Sequence, residues 1–348
     1  MLKKLSEINV IRAIACVFVV LTHSISSYLN NVEVNLMSED KYIIWIRFAI
    51  LCATPIFILL SETLISKNYP VALPKGFFRK RFKYILIPYI LIGSIVSYMD
   101  SEGNFESFIN LVIEKVLLGD WYGFFVIVIF QLYILHWLLG NFLSKVNPIY
   151  PLVISFLISF THVYLFVNIT EYKEFIFNYY PLSFRTNIFI WLFYFVVAFY
   201  TGQYYERILS FLSNKVWIPV LSTVISYLVV MHNILSRDYT TVASERYDMM
   251  LYSVSVFFLM LIIFRKYSVS NKTLITISHF SYFIYLTHML TLPYYAELTL
   301  RFGSNFFIYI IVMAFLTIST SIGWAFLFYN NKFTRLFTGR IIFMEKKM

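Results

Sequence analysis

Apolar stretches of about twenty residues follow one another along this chain, parted by short polar connections. A stretch of that length crosses the hydrocarbon of a bilayer as one α-helix. The runs are continuous rather than alternating apolar and polar, which argues against a β-barrel. The pattern therefore predicts an all-α, polytopic membrane helix bundle of about ten transmembrane helices. The expected spans run at about Ile8–Leu29, Tyr42–Ile65, Tyr84–Tyr98, Tyr122–Phe142, Ile149–Asn168 and Asn187–Ile208. They continue at about Val216–Leu235, Met249–Phe264, Leu274–Tyr295 and Asn305–Tyr329. The third is short, and Pro88 is expected to kink it. Phe108–Leu118 is too short to cross and is expected along the interface.

The connections sort by sign. One set carries Lys3, Lys4, Lys67, Lys75, Arg79, Lys80, Arg81, Lys83, Lys145, Arg207, Lys215, Arg265, Lys266, Lys272, Lys332, Arg335, Arg340, Lys346 and Lys347. The other carries Glu33, Glu39, Asp40, Asp100, Glu102, Glu106, Glu114, Asp120, Asp238, Glu245 and Asp248. Positive charge collects on the cytoplasmic side of membrane proteins, so both termini are expected there. The formal net charge of +10 then belongs to topology and not to nucleic acid.

Composition agrees: 60% of the 348 residues are hydrophobic and 13% charged, against about 45–50% and 25% in a soluble chain. Lys3 and Lys4 ahead of an apolar run resemble a signal peptide. Arg12 within that run, and the lack of a small-residue cleavage site, favour an uncleaved first span. One membrane domain over 1–348 is expected, with no soluble domain appended. Cys16 and Cys52 fall inside spans without metal-ligand spacing and read as small buried residues. No P-loop, G-x-G-x-x-G, H-E-x-x-H or cysteine pair occurs, which weighs against a nucleotide-driven pump. No metal and no permanently bound cofactor is expected.

Two polar residues interrupt the first span, Arg12 and His23. Their separation of eleven residues is three helical turns plus about 20°, so both lie on nearly one face, about 16 Å apart along the axis. An ionisable group inside a membrane span suggests function by default. His23 lies past the midplane and suits general base work; the plainer reading is a hydrogen-bonded histidine of the bundle. Arg12 either snorkels to the inner interface or holds an anion at the cytoplasmic mouth. Arg79-Lys80-Arg81-Phe82-Lys83 is a topology determinant, and equally an electrostatic landing site for a phosphorylated carrier.

His136, His162, His232 and His279 lack a partner at helical spacing and are assigned to packing or interface roles. His288 neighbours Tyr285 on one face at a depth like that of His23, and reads evenly as site-shaping or structural. Glu62 falls near the inner end of span two, where it pairs with a cation or, in the minority reading, acts in catalysis. Trp121, Tyr122, Tyr179, Tyr180, Tyr294 and Tyr295 suit an interface belt, and Trp121, Tyr122 and Tyr180 would also suit stacking on sugar rings.

Arg12-Ala13-Ile14-Ala15 followed by His23 resembles the first-span signature of the acyltransferase-3 family. The basic turn leading to Ile87-Pro88-Tyr89 is similar to that family's loop before span three. Ser281-Tyr282 through Tyr285-Leu286 to His288 resembles its late S-Y-x-x-Y-L-x-H motif. Tyr84 to Leu91, Val116 to Gly123, Tyr179 to Ser183 and Tyr204-Tyr205-Glu206-Arg207 extend the likeness over nearly the whole chain. They resemble the IcaC branch of biofilm polysaccharide biosynthesis proteins. Glu62 departs from the pattern, standing where many members have glycine.

The resemblance implies a multi-pass protein of the bacterial cell membrane that performs O-acyl transfer. A succinyl group, or an acetyl group, would pass from cytoplasmic acyl-CoA, a co-substrate, to hydroxyls of an extracellular polysaccharide such as poly-β-1,6-N-acetylglucosamine. His23 would be the catalytic base, and Arg12, Arg79 and Arg81 would bind the acyl donor. Tyr282, Tyr285, His288 and Glu62 would shape the site. The lipid bilayer and the polysaccharide synthase are the implied partners. Two other classes stand beside this reading. One is an exporter of the polysaccharide with no bond chemistry, which would need a wide polar path. The other is a scaffold, which leaves Arg12 and His23 without a purpose.

Overall fold

The computed structural model describes residues 6–34, 40–236, 239–267, 271–331, 334–339 and 341. Lys3, Lys4, Glu39, Asp238, Lys332, Arg340, Lys346 and Lys347 lie outside them. Among the described residues there are sixteen α-helices and no strand.

The first expected span is a single helix, α1 (Ser6–Asn31). The second is broken into α2 (Lys41–Ile50) and α3 (Ala53–Asn68). Pro55 accounts for the break, because it has no N–H to give the carbonyl of Leu51. The third expected span is α4 (Phe77–Arg81), a π-helical turn over Phe82–Leu86 and α5 (Ile87–Asp100). Pro88 lies in the first turn of α5, where a missing donor costs least.

The stretch expected at the interface forms α6 (Phe105–Leu111), capped by Asn104 accepting from the Ser107 amide at 2.9 Å, and a second π turn over Val112–Leu117. Gly119, at φ 80°, turns the chain towards a 3-10 turn over Tyr122–Phe124 and then α7 (Phe125–Leu143). Next come α8 (Ile149–Asn168), α9 (Thr170–Tyr179), a 3-10 turn over Phe184–Thr186 and α10 (Ile188–Gln203). The chain bends at Tyr204, so Ile208 belongs to a separate helix, α11 (Tyr205–Ser213). The rest are α12 (Trp217–Ser236), α13 (Met249–Lys266), α14 (Lys272–Leu300), α15 (Phe306–Tyr329) and α16 (Arg335–Thr338).

Nine stretches of the described residues are long and apolar enough to cross a membrane, against about ten expected. The one left out is α14. It is 29 residues long but carries Ser278, Ser281, Thr287, His288 and Thr291, all buried. A helix that places its polar groups inside the bundle loses apolar character without gaining exposure.

Helix α1 packs against α3, α13, α14 and α15, so it runs through the middle of the molecule. One apolar cluster, built on α3, α7, α10 and α13, lies on one flank, and a second, with α5 and α14, lies on the other. The α3–α10 seam is close enough for the Ser66 hydroxyl to donate to the Phe199 carbonyl at 2.7 Å. Gly202 makes that approach possible, because a Cβ there would meet the Thr63 carbonyl oxygen and the Lys67 amide nitrogen. Neither backbone atom can swing aside. Gly202→Ala is therefore expected to destabilise the bundle by about 1–3 kcal/mol, read as a lower midpoint of thermal unfolding in detergent.

Candidate active site

Arg12 and His23 both turn into the bundle from α1. At the far end from the N-terminus, the ring of His23 meets that of His288 from α14, with centroids 5.0 Å apart and planes at 47°. The Nδ1 of His288 lies 2.7 Å from the carbonyl oxygen of Tyr285. A carbonyl only accepts, so Nδ1 carries the hydrogen and the neutral ring presents Nε2 as a bare acceptor. That Nε2 is buried and has no hydrogen-bond partner. His23 is half-buried and, among the described residues, makes no hydrogen bond. Tyr122 closes one side, its ring edge-on to His288 at 5.3 Å and its hydroxyl donating to the Leu286 carbonyl at 3.0 Å.

The charged groups that bear on His23 are Arg185 and Arg47. Arg185 pairs through Nε with Glu245 at 3.1 Å. Arg47 donates from Nη2 to the Ser26 hydroxyl at 2.7 Å.

At the other end, Arg12 is coupled electrostatically to Arg81 and to Tyr133 of α7. Arg81 lies over the rings of Phe77 and Tyr133, at 4.8 and 5.4 Å from their centroids. Among the described residues no carboxylate pairs with Arg12, Arg79 or Arg81. Guanidiniums without a carboxylate partner have the donor geometry that suits a bidentate anion. Arg79 is exposed.

Along α1 between the two ends, Ala15, Cys16, Val19 and Val20 are buried. The thiol of Cys16 points to the Ser281 carbonyl at 3.8 Å. The direct stripe is thus packed over. Beside it, Tyr282 and Tyr285 of α14 reach the segments that precede α5 and α7. The hydroxyls of Tyr282 and Tyr285 donate to the carbonyls of Ile85 and Tyr122, each at 2.5 Å. Those carbonyls belong to a π turn and a 3-10 turn. Irregular backbone at membrane depth needs such donors, so the two tyrosines hold the non-α segments against α14. Their protons are spent on that task and not aimed at a reacting oxygen.

A family profile described as an acyltransferase domain matches residues 5–329. The chain belongs to this acyltransferase family. A Staphylococcus aureus protein named "Probable poly-beta-1,6-N-acetyl-D-glucosamine export protein" is 34% identical over 322 residues, covering 91% of each chain. Its Staphylococcus epidermidis namesake is 32% identical over 327 residues, covering 93% of this chain and 91% of the relative. A Bacillus subtilis protein named as a membrane-bound acyltransferase, YfiQ, is 33% identical over 296 residues, covering 82% and 80%. No solved structure matches. The chain is a multi-pass bacterial membrane acyltransferase.

The structure places the acyltransferase's remaining expected residues in more than one part of the bundle. Glu62 of α3 is buried, and its Oε1 lies 2.6 Å from Nδ1 of His136 on α7. His136 is therefore not without a partner. It bridges Glu62 and the Tyr69 carbonyl, 2.9 Å from its Nε2. Trp121 is 7% exposed. Its indole N–H donates to the Tyr89 hydroxyl at 3.1 Å, and its ring lies against Gly93 and Gly123. It has no face left for a sugar. Tyr122 faces His288, while Tyr180 bonds Thr186 at 3.1 Å. Trp121 and Tyr122 are in ring contact, with centroids 4.7 Å apart.

Sequence reasoning passed over Arg47. The signal was present, since Arg47 is an arginine inside an apolar run, like Arg12. Only the fold shows that Arg185, 162 residues after His23 in sequence, also bears on it electrostatically.

Proposed function

We propose that this acyltransferase passes an acyl group, succinyl or acetyl, from cytoplasmic acyl-CoA to a hydroxyl of an extracellular polysaccharide. Poly-β-1,6-N-acetylglucosamine, the polymer in the staphylococcal relatives' name, is the acceptor in this reading. The observation that carries it is the division of α1: the carboxylate-free guanidiniums of Arg12 and Arg81 at one end and the His23–His288 pair at the other.

Arg12 and Arg81 take the phosphates of the donor, which match a guanidinium fork. The donor's flexible arm reaches from there towards His23 and brings the thioester to its ring. The free nitrogen of His23 accepts the proton of the sugar hydroxyl while the sugar oxygen attacks the thioester carbonyl. The C–S bond then breaks, the new C–O ester bond remains, and the proton passes from His23 to the departing thiolate. His288, with Nδ1 tied to Tyr285, holds His23 in position. Cys16 and Cys52 are buried apolar fillers, so neither serves as nucleophile, which favours direct transfer over an acyl-enzyme.

The test is reconstitution in liposomes, with acyl-CoA on the Arg12 side and oligosaccharide on the other. Free CoA and an O-acylated sugar, seen by mass spectrometry, support transfer. Passage of unmodified sugar with the thioester intact supports the export reading, which stands on the relatives' name alone. Arg12→Ala is expected to raise the KM for acyl-CoA by about 10- to 100-fold, with kcat changed far less, because the lost contact is made equally in ground and transition states.

A further inference from the structure

Arg47 is a cation at membrane depth whose hydrogen bonding is unfinished. Arg246 in the same protein shows what a finished one looks like. Its Nε and Nη2 hold Asp248 at 2.8 and 2.6 Å, and its Nη1 donates to the carbonyls of Tyr239 and Thr241. Arg47, by contrast, makes a single hydrogen bond among the described residues, from Nη2 to Ser26. Its Nε is buried without a partner. Its Nη1 is also unbonded and, unlike Nε, is not enclosed. No carboxylate of the described residues pairs with it, whereas neighbouring Arg185 has Glu245. An unmatched guanidinium inside a bilayer is costly to keep, and its open edge has the shape of a carboxylate receptor.

Its position says which carboxylate. Ser26, to which Arg47 is tied, follows His23 by three residues on α1 and so shares its face, about 4.5 Å further from the Arg12 end. In the function proposed above, on which this inference rests, the donor arrives from that end and its carbonyl carbon stops at His23. The rest of the acyl chain then projects past His23 towards Ser26. A terminal carboxylate on a short acyl chain would therefore lie on the side of His23 where Ser26 holds Arg47.

We propose that Arg47 is a specificity residue that holds a terminal carboxylate on the acyl group, so that the site selects short dicarboxylic acyl donors over neutral ones. Electrostatic coupling of Arg47 to His23 is consistent with the two lying at one ligand's separate ends.

The test is binding of two thioesters of equal chain length, succinyl-CoA and butyryl-CoA, to the purified full-length protein in nanodiscs. Wild type is expected to bind succinyl-CoA at least about tenfold more tightly. Arg47→Gln is expected to weaken succinyl-CoA by about 10- to 100-fold and butyryl-CoA by less than about threefold. Arg47→Lys keeps the charge without the fork and should fall between, which reports on the contact even if the glutamine variant is poorly folded. Equal affinity of wild type for both thioesters overturns the assignment while leaving acyl transfer standing. So does an equal loss for both in Arg47→Gln. Binding of neither thioester by wild type overturns the acyl-CoA reading itself.

Discussion

His23→Ala is expected to remove ester formation, lowering its rate by about 10²- to 10⁴-fold, while polysaccharide still reaches the cell surface. The size follows from the role. A sugar hydroxyl is a poor nucleophile until its proton is taken, and His23 is the half-buried imidazole at the site with a free nitrogen. His288 does not replace it, because its Nδ1 is tied to Tyr285 and its Nε2 is buried. Donor binding should survive, since Arg12 and Arg81 lie at the other end of the helix. The measurement is mass spectrometry of polysaccharide shed from cells carrying each variant, with surface and intracellular polymer quantified together. Polymer trapped inside with its acylation intact would overturn the enzymatic reading in favour of export.

The first span needed nothing but spacing to be read. Arg12 and His23 share a helical face because eleven residues nearly close three turns, and no tertiary contact could alter that. Span two was legible as apolar, while its break was written in Pro55, a residue that hydropathy does not weigh. Helix α14 shows the reverse: its polar residues lowered its apolar character, yet they mark where it faces the bundle. The pairing of Glu62 with His136 spans 74 positions in sequence and has no local signature at all. Trp121 looked like an interface aromatic because Trp-Tyr ahead of a span usually is one. The glycines at 93 and 123 that receive its ring come from different elements and only the fold assembles them. Arg47 was legible as an intramembrane charge, but its meaning depends on Ser26 and His23 being one turn apart beneath it.

Glu62 and His136 are expected to behave as one unit in stability. Both are buried, at 1% and 0% exposure. Nε2 of His136 must give its hydrogen to the Tyr69 carbonyl, so a single proton is shared between Nδ1 and the carboxylate. Either placement of that proton leaves the pair with no net charge, which is why it can sit inside the bundle. Removing one partner leaves the other buried and unmatched. Glu62→Leu and His136→Leu are each expected to cost about 3–5 kcal/mol. The double variant replaces the pair with apolar bulk and should cost much less than the sum, since Tyr69 is exposed and its carbonyl can turn to water. Unfolding midpoints in detergent for the four proteins give the coupling directly. Additive losses would mean that the two residues act separately. The pair also fixes Tyr69, where the chain leaves α3 for the basic turn of α4. Glu62, through His136, thus anchors the start of the loop that leads to Arg81.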